Sequence, residues 1–343
     1  IEIAIGTDMS GSISKLLHEK ACLNSHLIAG SALAVTPIAP IELMEGNQSQ
    51  LEMACKVNQH LQNDSSVLFS FNGIGYDAII LRHFFFENLL DPYLLSYEDR
   101  LHIDLLCVSH AARDFSNKVN FLINEKGKKS LRQIDIALAN DIDPGKAHTA
   151  IDDVDTLLQI ARLYEDQIPE IFYTSVICGN KKRVLSRLGD EEFFCFSNPW
   201  NSKALSFIIR NDFQGMDNEA YFFNLDFDPQ EYLNISVEDI LKLIKKPRSP
   251  FVRIGLNKNP ILLSGPIFSD QININPIEAS NRAGMIVSSK LFLENFKQAL
   301  HIRGNPYSNN EFEHFPEMAI YNGFPSNGDR AIIPNFRDAN YQE

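Results

Sequence analysis

The sequence is short of several things, and each shortage excludes a class of protein. No apolar run approaches the roughly 20 residues that a membrane-spanning helix requires, and there is one tryptophan in 343 residues. No signal-peptide pattern is visible. The chain opens on Ile1, already inside the apolar alternation "IEIAIG", which reads as the middle of a protein. The five cysteines (Cys22, Cys55, Cys107, Cys178, Cys195) are scattered, odd in number and free of any CxxC pair. That pattern argues against a zinc site or a disulfide framework, and reduced thiols in the cytoplasm are expected. Low-complexity tracts and internal repeats are absent. Cations are in deficit: 31 Lys and Arg stand against 44 Asp and Glu, a net charge of −13. Broad nonspecific attraction to nucleic acid is thereby excluded. A local basic track remains compatible with that balance, and a site built from carboxylates suits it.

What is present is a globular composition, 44% hydrophobic and 22% charged, in a length sufficient for about two domains. Residues 1–172 alternate strand-like and helix-like segments. "IEIAIGTD" reads as a strand and turn, "LEMACKVNQHLQN" as a helix, and "SSVLFSFNG" as a buried strand. "YDAIILRHFFFENLL" follows as a helix, "HIDLLCVSHAARDF" as a short strand running into a helix, and "SLRQIDIALAND" as another helix. This alternation predicts an α/β domain around a mixed sheet. From residue 173 the character changes to short strands separated by Pro, Asn, Gly and Asp: "EEFFCFSNPW", "ALSFIIRND", "AYFFNLDF" and "SPFVRIGLN" with "KNPILLSG". A second, β-rich domain over 173–318 is expected, with the helix "SVEDILKLIKK" inside it. The chain turns helical again from about Ser288.

The stretch "KAHTAIDDVDTLLQIARLYED" sets three aspartates within four positions. Thr149 with Asp152 fits a capping box, and acidic residues in a first turn complement the helix dipole. At about 100° per residue, however, Asp153 falls between Leu157 and Ile160 on the apolar arc, whereas Asp152 and Asp155 project to the polar one. A carboxylate on the apolar arc must find a cation, a metal or strong donors. His148 precedes this helix and reads either as a loop residue or as a group over the same cleft. A second constellation is "FNGIGYDAIILRHFF", in which Asp77 stands at a strand-to-helix junction, either as an N-cap or as a functional group at a strand's carboxyl edge. Arg82 lies five residues on, and Arg132 sits beside Lys126, Lys128 and Lys129 in "KGKKSLRQ". Those cations are either solvated surface or contacts for an anionic substrate such as a phosphate backbone. Tyr76 offers a ring for base stacking, Asn72 lies on the same loop, and Phe71 and Phe84 read as core.

Asp77 behind "FNGIGY", with His148 and Asp153 in "AHTAIDDVDTL", resembles the later motifs of the Asp-Glu-Asp-Asp exonucleases, which have a ribonuclease-H-like fold. The more specific resemblance is to the bacterial exodeoxyribonuclease I family. It is carried by "TPIAPIELMEG", "FNGIGYDAIILRHFFFENLLDPY", "HIDLL", "SLRQIDIALAND", "VRIGLNKNPIL" and "YNGFPSNGDRA", in that order along the chain. The resemblance implies a 3′-to-5′ exonuclease that degrades single-stranded DNA to mononucleotides by two-metal-ion hydrolysis in DNA repair and recombination. It implies two Mg2+ ions (or Mn2+), with Asp77 and Asp153 among the metal-binding carboxylates and His148 as the general base. Arg82 and Arg132 would be DNA contacts, joined by Asn72 and Tyr76. It further implies an SH3-like β-rich domain at 173–318, the start of a helical region at 319–343, a monomer, and single-strand DNA-binding protein as a partner.

One departure matters. The family's first strand carries an Asp-x-Glu motif, and no such motif followed by a Thr/Gly turn occurs before residue 10. The expectation is a fragment lacking that strand, inactive by itself. The competing expectation is a catalytically inactive single-stranded-DNA-binding or interaction module on the same scaffold. An RNA-directed relative fits the β-rich second domain less well.

Overall fold

Alternating apolar residues at the start of the chain fold back on themselves. In the computed structural model, strand β1 (Glu2–Met9) pairs antiparallel with β2 (Ser12–Lys20), and Met9 stands opposite Ser12. Thr7 and Asp8, read as the start of a turn, thus lie within the strand. The structure describes residues 2–9, 12–22, 39, 41, 44, 48–62, 67–97, 99–145, 150–199, 201–211, 218–272, 274–304, 320 and 325–338. Helix α1 (Gln50–Gln62) starts on a reciprocal cap, in which the Glu52 amide donates to Ser49 Oγ and the Ser49 amide to Glu52 Oε2. Its buried Met53, Ala54 and Val57 cluster with Leu17 of the hairpin and with Phe84 and Phe85.

Strand β3 (Val67–Ser70) leads through a turn to helix α2 (Asp77–Glu87), and β4 (Leu101–Asp104) runs straight into α3 (Leu105–Phe115). The two strands are parallel, with Val67 opposite Leu101 and Ser70 opposite Asp104, so both carboxyl ends lie at one edge. Among the described residues the hairpin and this parallel pair form two separate two-stranded sheets. Helices α4 (Gln133–Ala139), α5 (Ala150–Gln167), α6 (Pro169–Ile177) and α7 (Lys181–Arg187) follow. Helix α5 packs on β1, β2 and β3, and so spans both sheets. Its buried Tyr164 hydroxyl meets Ser109 Oγ of α3 at 2.7 Å. Helix α6 runs through residues 172 and 173, where the composition changes, so secondary structure is continuous there.

The second half is an antiparallel sheet of five strands in the order β8-β7-β6-β5-β9. These are β5 (Phe194–Ser197), β6 (Ser202–Asn211), β7 (Glu219–Asn224), β8 (Phe251–Gly255) and β9 (Leu263–Ser264). Between β7 and β8 lies α8 (Val237–Ile244), and α9 (Gly265–Phe268) follows β9. Helices α10 (Pro276–Ser288) and α11 (Lys290–Arg303) pack on β6, and α12 (Asn327–Asp338) comes last. The helical return thus begins at Pro276 rather than near Ser288. Asn275 caps α10 through the Ile277 and Glu278 amides, and Pro276 sets the first helical φ, a start signal written in "NP". On the sheet, Phe251 lies edge-on to Phe296 of α11 at 5.0 Å. Phe222 and Phe223 are completely buried, each contributing about 1.5–3 kcal/mol of burial. One apolar core runs from Ile103 and Tyr164 through Tyr221 and Phe223 to Phe296, joining the two halves. All five cysteines are free, and no described helix is long and apolar enough to cross a membrane.

Candidate functional site

The turn between β3 and α2 is built by three unusual features. Asn72 adopts φ +61°, a left-handed conformation that asparagine tolerates better than most residues. Gly73 has no room for a side chain, since a Cβ there would lie 2.3 Å from Ser70 Cβ and 3.1 Å from Asp77 Oδ2. The third feature is Asp104, at the end of the neighbouring strand. Its Oδ1 accepts the Asn72 amide at 2.7 Å and the Leu106 amide at 3.1 Å, while its Oδ2 accepts the Ile74 amide at 3.2 Å. One carboxylate therefore caps α3 and clamps the turn that leads into α2.

Asp77 is the first residue of α2 rather than its N-cap, which is Tyr76, and no side chain caps this helix. The Gly73 carbonyl instead accepts the Ala78 amide at 2.8 Å. The helix-cap reading of Asp77 is thus not what the turn uses it for. The residue reaches solvent, yet crowding of its carboxyl by surrounding protein pushes its pKa above the ordinary carboxylate value. Burial does the same to Asp104, opposed by the three amides and reinforced slightly by the negative charge of Asp77. Tyr76 is 63% exposed, so its ring is available at the edge of the turn. Phe84 is core, and Phe71 packs against the core, as the sequence suggests.

Asp153 departs from its helical projection. Leu157 and Ile160, its azimuthal neighbours, are buried, but Asp153 is exposed in the first turn of α5. A projection gives direction around a helix and not depth of cover. At this level the helix is met by a polar group, the Gln133 side chain, which donates to the Asp153 carbonyl at 2.6 Å, while within the helix Thr156 donates to the Asp152 carbonyl at 2.8 Å. Thr156, projected to the polar arc, is buried, while Asp152 lies under Gly145. His148 and Thr149, the expected cap, lie outside the described residues.

Arg132 is the N-cap residue of α4, next to Gln133, so the structure brings Arg132 and the start of α5 to neighbouring positions. Its guanidinium grips Asp135 through Nε at 2.7 Å and Nη2 at 2.8 Å, and that ion pair holds the Asp135 carboxyl below its usual range. Both line a groove of about 1160 Å³ between the end of α3, the 122–131 loop, α4 and the β5–β6 turn at Pro199–Ser202. Lys126, Lys128 and Lys129 line it as well. Lys129 lies over the Phe121 ring at 5.3 Å and donates to the Arg113 carbonyl at 3.1 Å. Arg113 pairs with Asp114 at 2.7 Å and donates to the Asn198 carbonyl at 2.9 Å, bridging to the second sheet. His110 is nearly buried on the same wall, and desolvation draws its pKa down to about 4. Nothing in the residue pattern singles out these groove residues on α3 in advance.

Arg82 stands apart. Five residues beyond Asp77 is roughly 140° around the helix, and its guanidinium lies 5.5 Å from the Tyr93 ring, facing Ser96. Hard oxygen donors are what Mg2+ takes, usually with retained waters. Asp77 fits that role, because its carboxyl is crowded and has no ion pair among the described residues. Among the described residues no group of three His, Cys, Asp or Glu side chains comes together.

No family model matches the chain. The exodeoxyribonuclease I of Haemophilus influenzae is 28% identical over 165 residues, which is 47% of this chain but only 34% of that protein. The exodeoxyribonuclease I of Escherichia coli is 22% identical over 340 residues, covering 90% of this chain and 69% of that one. Among solved structures, E. coli exonuclease I in complex with a dA16 oligonucleotide superposes with a TM-score of 0.80 at 19% identity, covering 96% of this chain and 74% of that one. The SSB/exonuclease I structure with an inhibitor gives a TM-score of 0.74 at 19% identity, covering 96% and 72%. The superposition takes in the α/β half, the five-stranded antiparallel sheet and the trailing helices, so the fold is shared with both. The chain is thus similar, in sequence and in fold, to bacterial exodeoxyribonuclease I.

Proposed function

We propose that this chain belongs to a 3′-to-5′ exonuclease that hydrolyses single-stranded DNA to mononucleotides in DNA repair and recombination. The observation that carries the proposal is Asp77, an oxygen donor held at the strand edge by the Asp104 clamp, on a chain similar to exodeoxyribonuclease I. Asp77 and Asp153 would hold divalent metal, Mg2+ by preference, with Mn2+ as a substitute. When bound, such ions stabilise the attacking and leaving oxygens of an in-line displacement. His148 would take the proton of the attacking water, a role an imidazole can fill. Arg132 and the lysines of the 122–131 loop would bind backbone phosphates, while Tyr76 and Asn72 would contact the terminal nucleotides. Arg82, on the far side of α2, is the weakest of these assignments. The sequence supplies two of the four carboxylates that the resemblance calls for, so this chain alone is expected to be inactive. The relative solved as SSB/exonuclease I supports single-strand DNA-binding protein as a partner. A 173–318 SH3-like domain, a 319–343 helical start, a monomer and a cytoplasmic setting complete the reading.

The test is degradation of a 5′-labelled single strand in Mg2+ by the protein as its gene encodes it, against duplex DNA and RNA. Asp153→Asn is expected to lower turnover at least a hundredfold with DNA affinity preserved. Ordinary turnover by that variant would sink the assignment. Binding without turnover by the unsubstituted protein would favour the inactive module.

A further inference from the structure

The turn that carries Asp77 is held from the other half of the molecule. The loop between β8 and β9 contributes Asn259, only 2% exposed and in a left-handed conformation at φ +48°. Every polar atom of its side chain is used. Oδ1 accepts the Asp104 amide at 3.0 Å, and Nδ2 donates to the Ser175 carbonyl at 2.9 Å and the Cys178 carbonyl at 3.0 Å. The preceding residue, Lys258, extends its Nζ to the Ile74 carbonyl at 3.4 Å. Asp104 in turn holds the Asn72 and Ile74 amides. A chain of hydrogen bonds therefore runs from the five-stranded sheet, through Asn259 and Asp104, to the turn that begins α2.

We infer that Asn259 is a positioning residue: it sets the Asp104 backbone, and through it the Asp77 turn, so that the second domain fixes the geometry of the carboxylate site. This rests on the metal-binding reading of Asp77. The physical reasons are that a buried amide with all its partners satisfied has one low-energy orientation, and that metal sites lose affinity when supporting groups loosen. Burial also makes the link costly to lose, since removing the side chain would leave the Asp104 amide and two carbonyls without partners.

The experiment is Asn259→Gly in the full chain, because glycine accepts φ +48° without strain. Amide hydrogen exchange at Asn72 and Ile74 is expected to rise about tenfold or more, while Phe222 and Phe223 of β7 keep their protection. Mn2+ affinity, read by electron paramagnetic resonance, is expected to fall about tenfold. A uniform rise in exchange across both halves, or none at Asn72 and Ile74, would reduce Asn259 to an ordinary structural residue and overturn the inference. If the unsubstituted chain takes up no Mn2+, the metal reading fails, and the exchange pattern alone decides the coupling. Should the variant not fold, native-state exchange of the unsubstituted chain serves. Asn72 and Ile74 should then open together with the Leu256 amide, and independent opening of the turn would count against the link.

Discussion

Asp104 shows how much one side chain can carry when its partners are backbone amides. Three of them converge on its carboxylate, yet desolvation still outweighs them and lifts its pKa. His102, on the same strand, meets Ser70 Oγ at 2.7 Å, and burial draws its pKa from 6.5 down to about 4. The sign of the consequence follows from which state binds the proton. As pH falls below 6.5 the unfolded chain protonates this histidine first, so stability is lost down to about pH 4 and no further. At pH 5 the loss is about 2 kcal/mol for a fully shifted histidine, and His110 adds to it in the same window. Asp77 and Asp104, raised instead, act in the opposite sense at lower pH. Urea unfolding at pH 7.5 and pH 5 should record the loss, and His102→Gln should reduce it by about 2 kcal/mol. An unchanged pH slope in that variant would mean His102 is not held neutral by the fold.

Among elements, the β3–α2 turn and the start of α3 form one unit. Their sequence signals were clear: "FNGIGYD" is a strand end, a left-handed asparagine and a glycine, and "HIDLL" is an aspartate between a strand and a helix. Their union was not legible, because an N-cap aspartate announces only its own helix. Asp104→Asn tests the union. An amide can accept on one oxygen only, and its NH2 would face an N–H. The expected cost is about 2–3 kcal/mol of stability, together with faster exchange at Asn72 and Ile74. Stability unchanged in calorimetry would contradict the clamp. The first turn of α5 teaches the complementary lesson. Periodicity located the helix and its buried Leu157, Ile160 and Tyr164, but cover at the level of Asp153 is polar.

For the molecule as a whole, a chain with a net charge of −13 still gathers several cations along one groove. Lys126, Lys128, Lys129 and Arg132 share one groove wall with the acidic partners Asp114 and Asp135. Single-stranded DNA binding should therefore weaken with salt, and Arg132→Gln should reduce the log–log slope by about 0.7 for one lost phosphate contact. A slope identical to that of the unsubstituted protein would remove Arg132 from the interface. The groove meets the end of α3 and the Asp104 clamp meets its beginning, so this 11-residue helix, about 16 Å long, spaces the two.

The amino-acid sequence by itself determined the α/β and β-rich halves, many of their longer elements (though not β2, α6, α7, α10 or α12), the strand-to-helix junction before Asp77 and the resemblance that names candidate ligands. These are local matters, since periodicity, caps and turn residues act within a few positions. Tertiary structure alone decided which groups meet. It exposed Asp153 and gathered His110 and Arg113 with Arg132. Asp104 and Asn259 are 155 positions apart, and no spacing rule reaches that far. Only burial of both in one continuous core, where an amide must find its partner, brings them together.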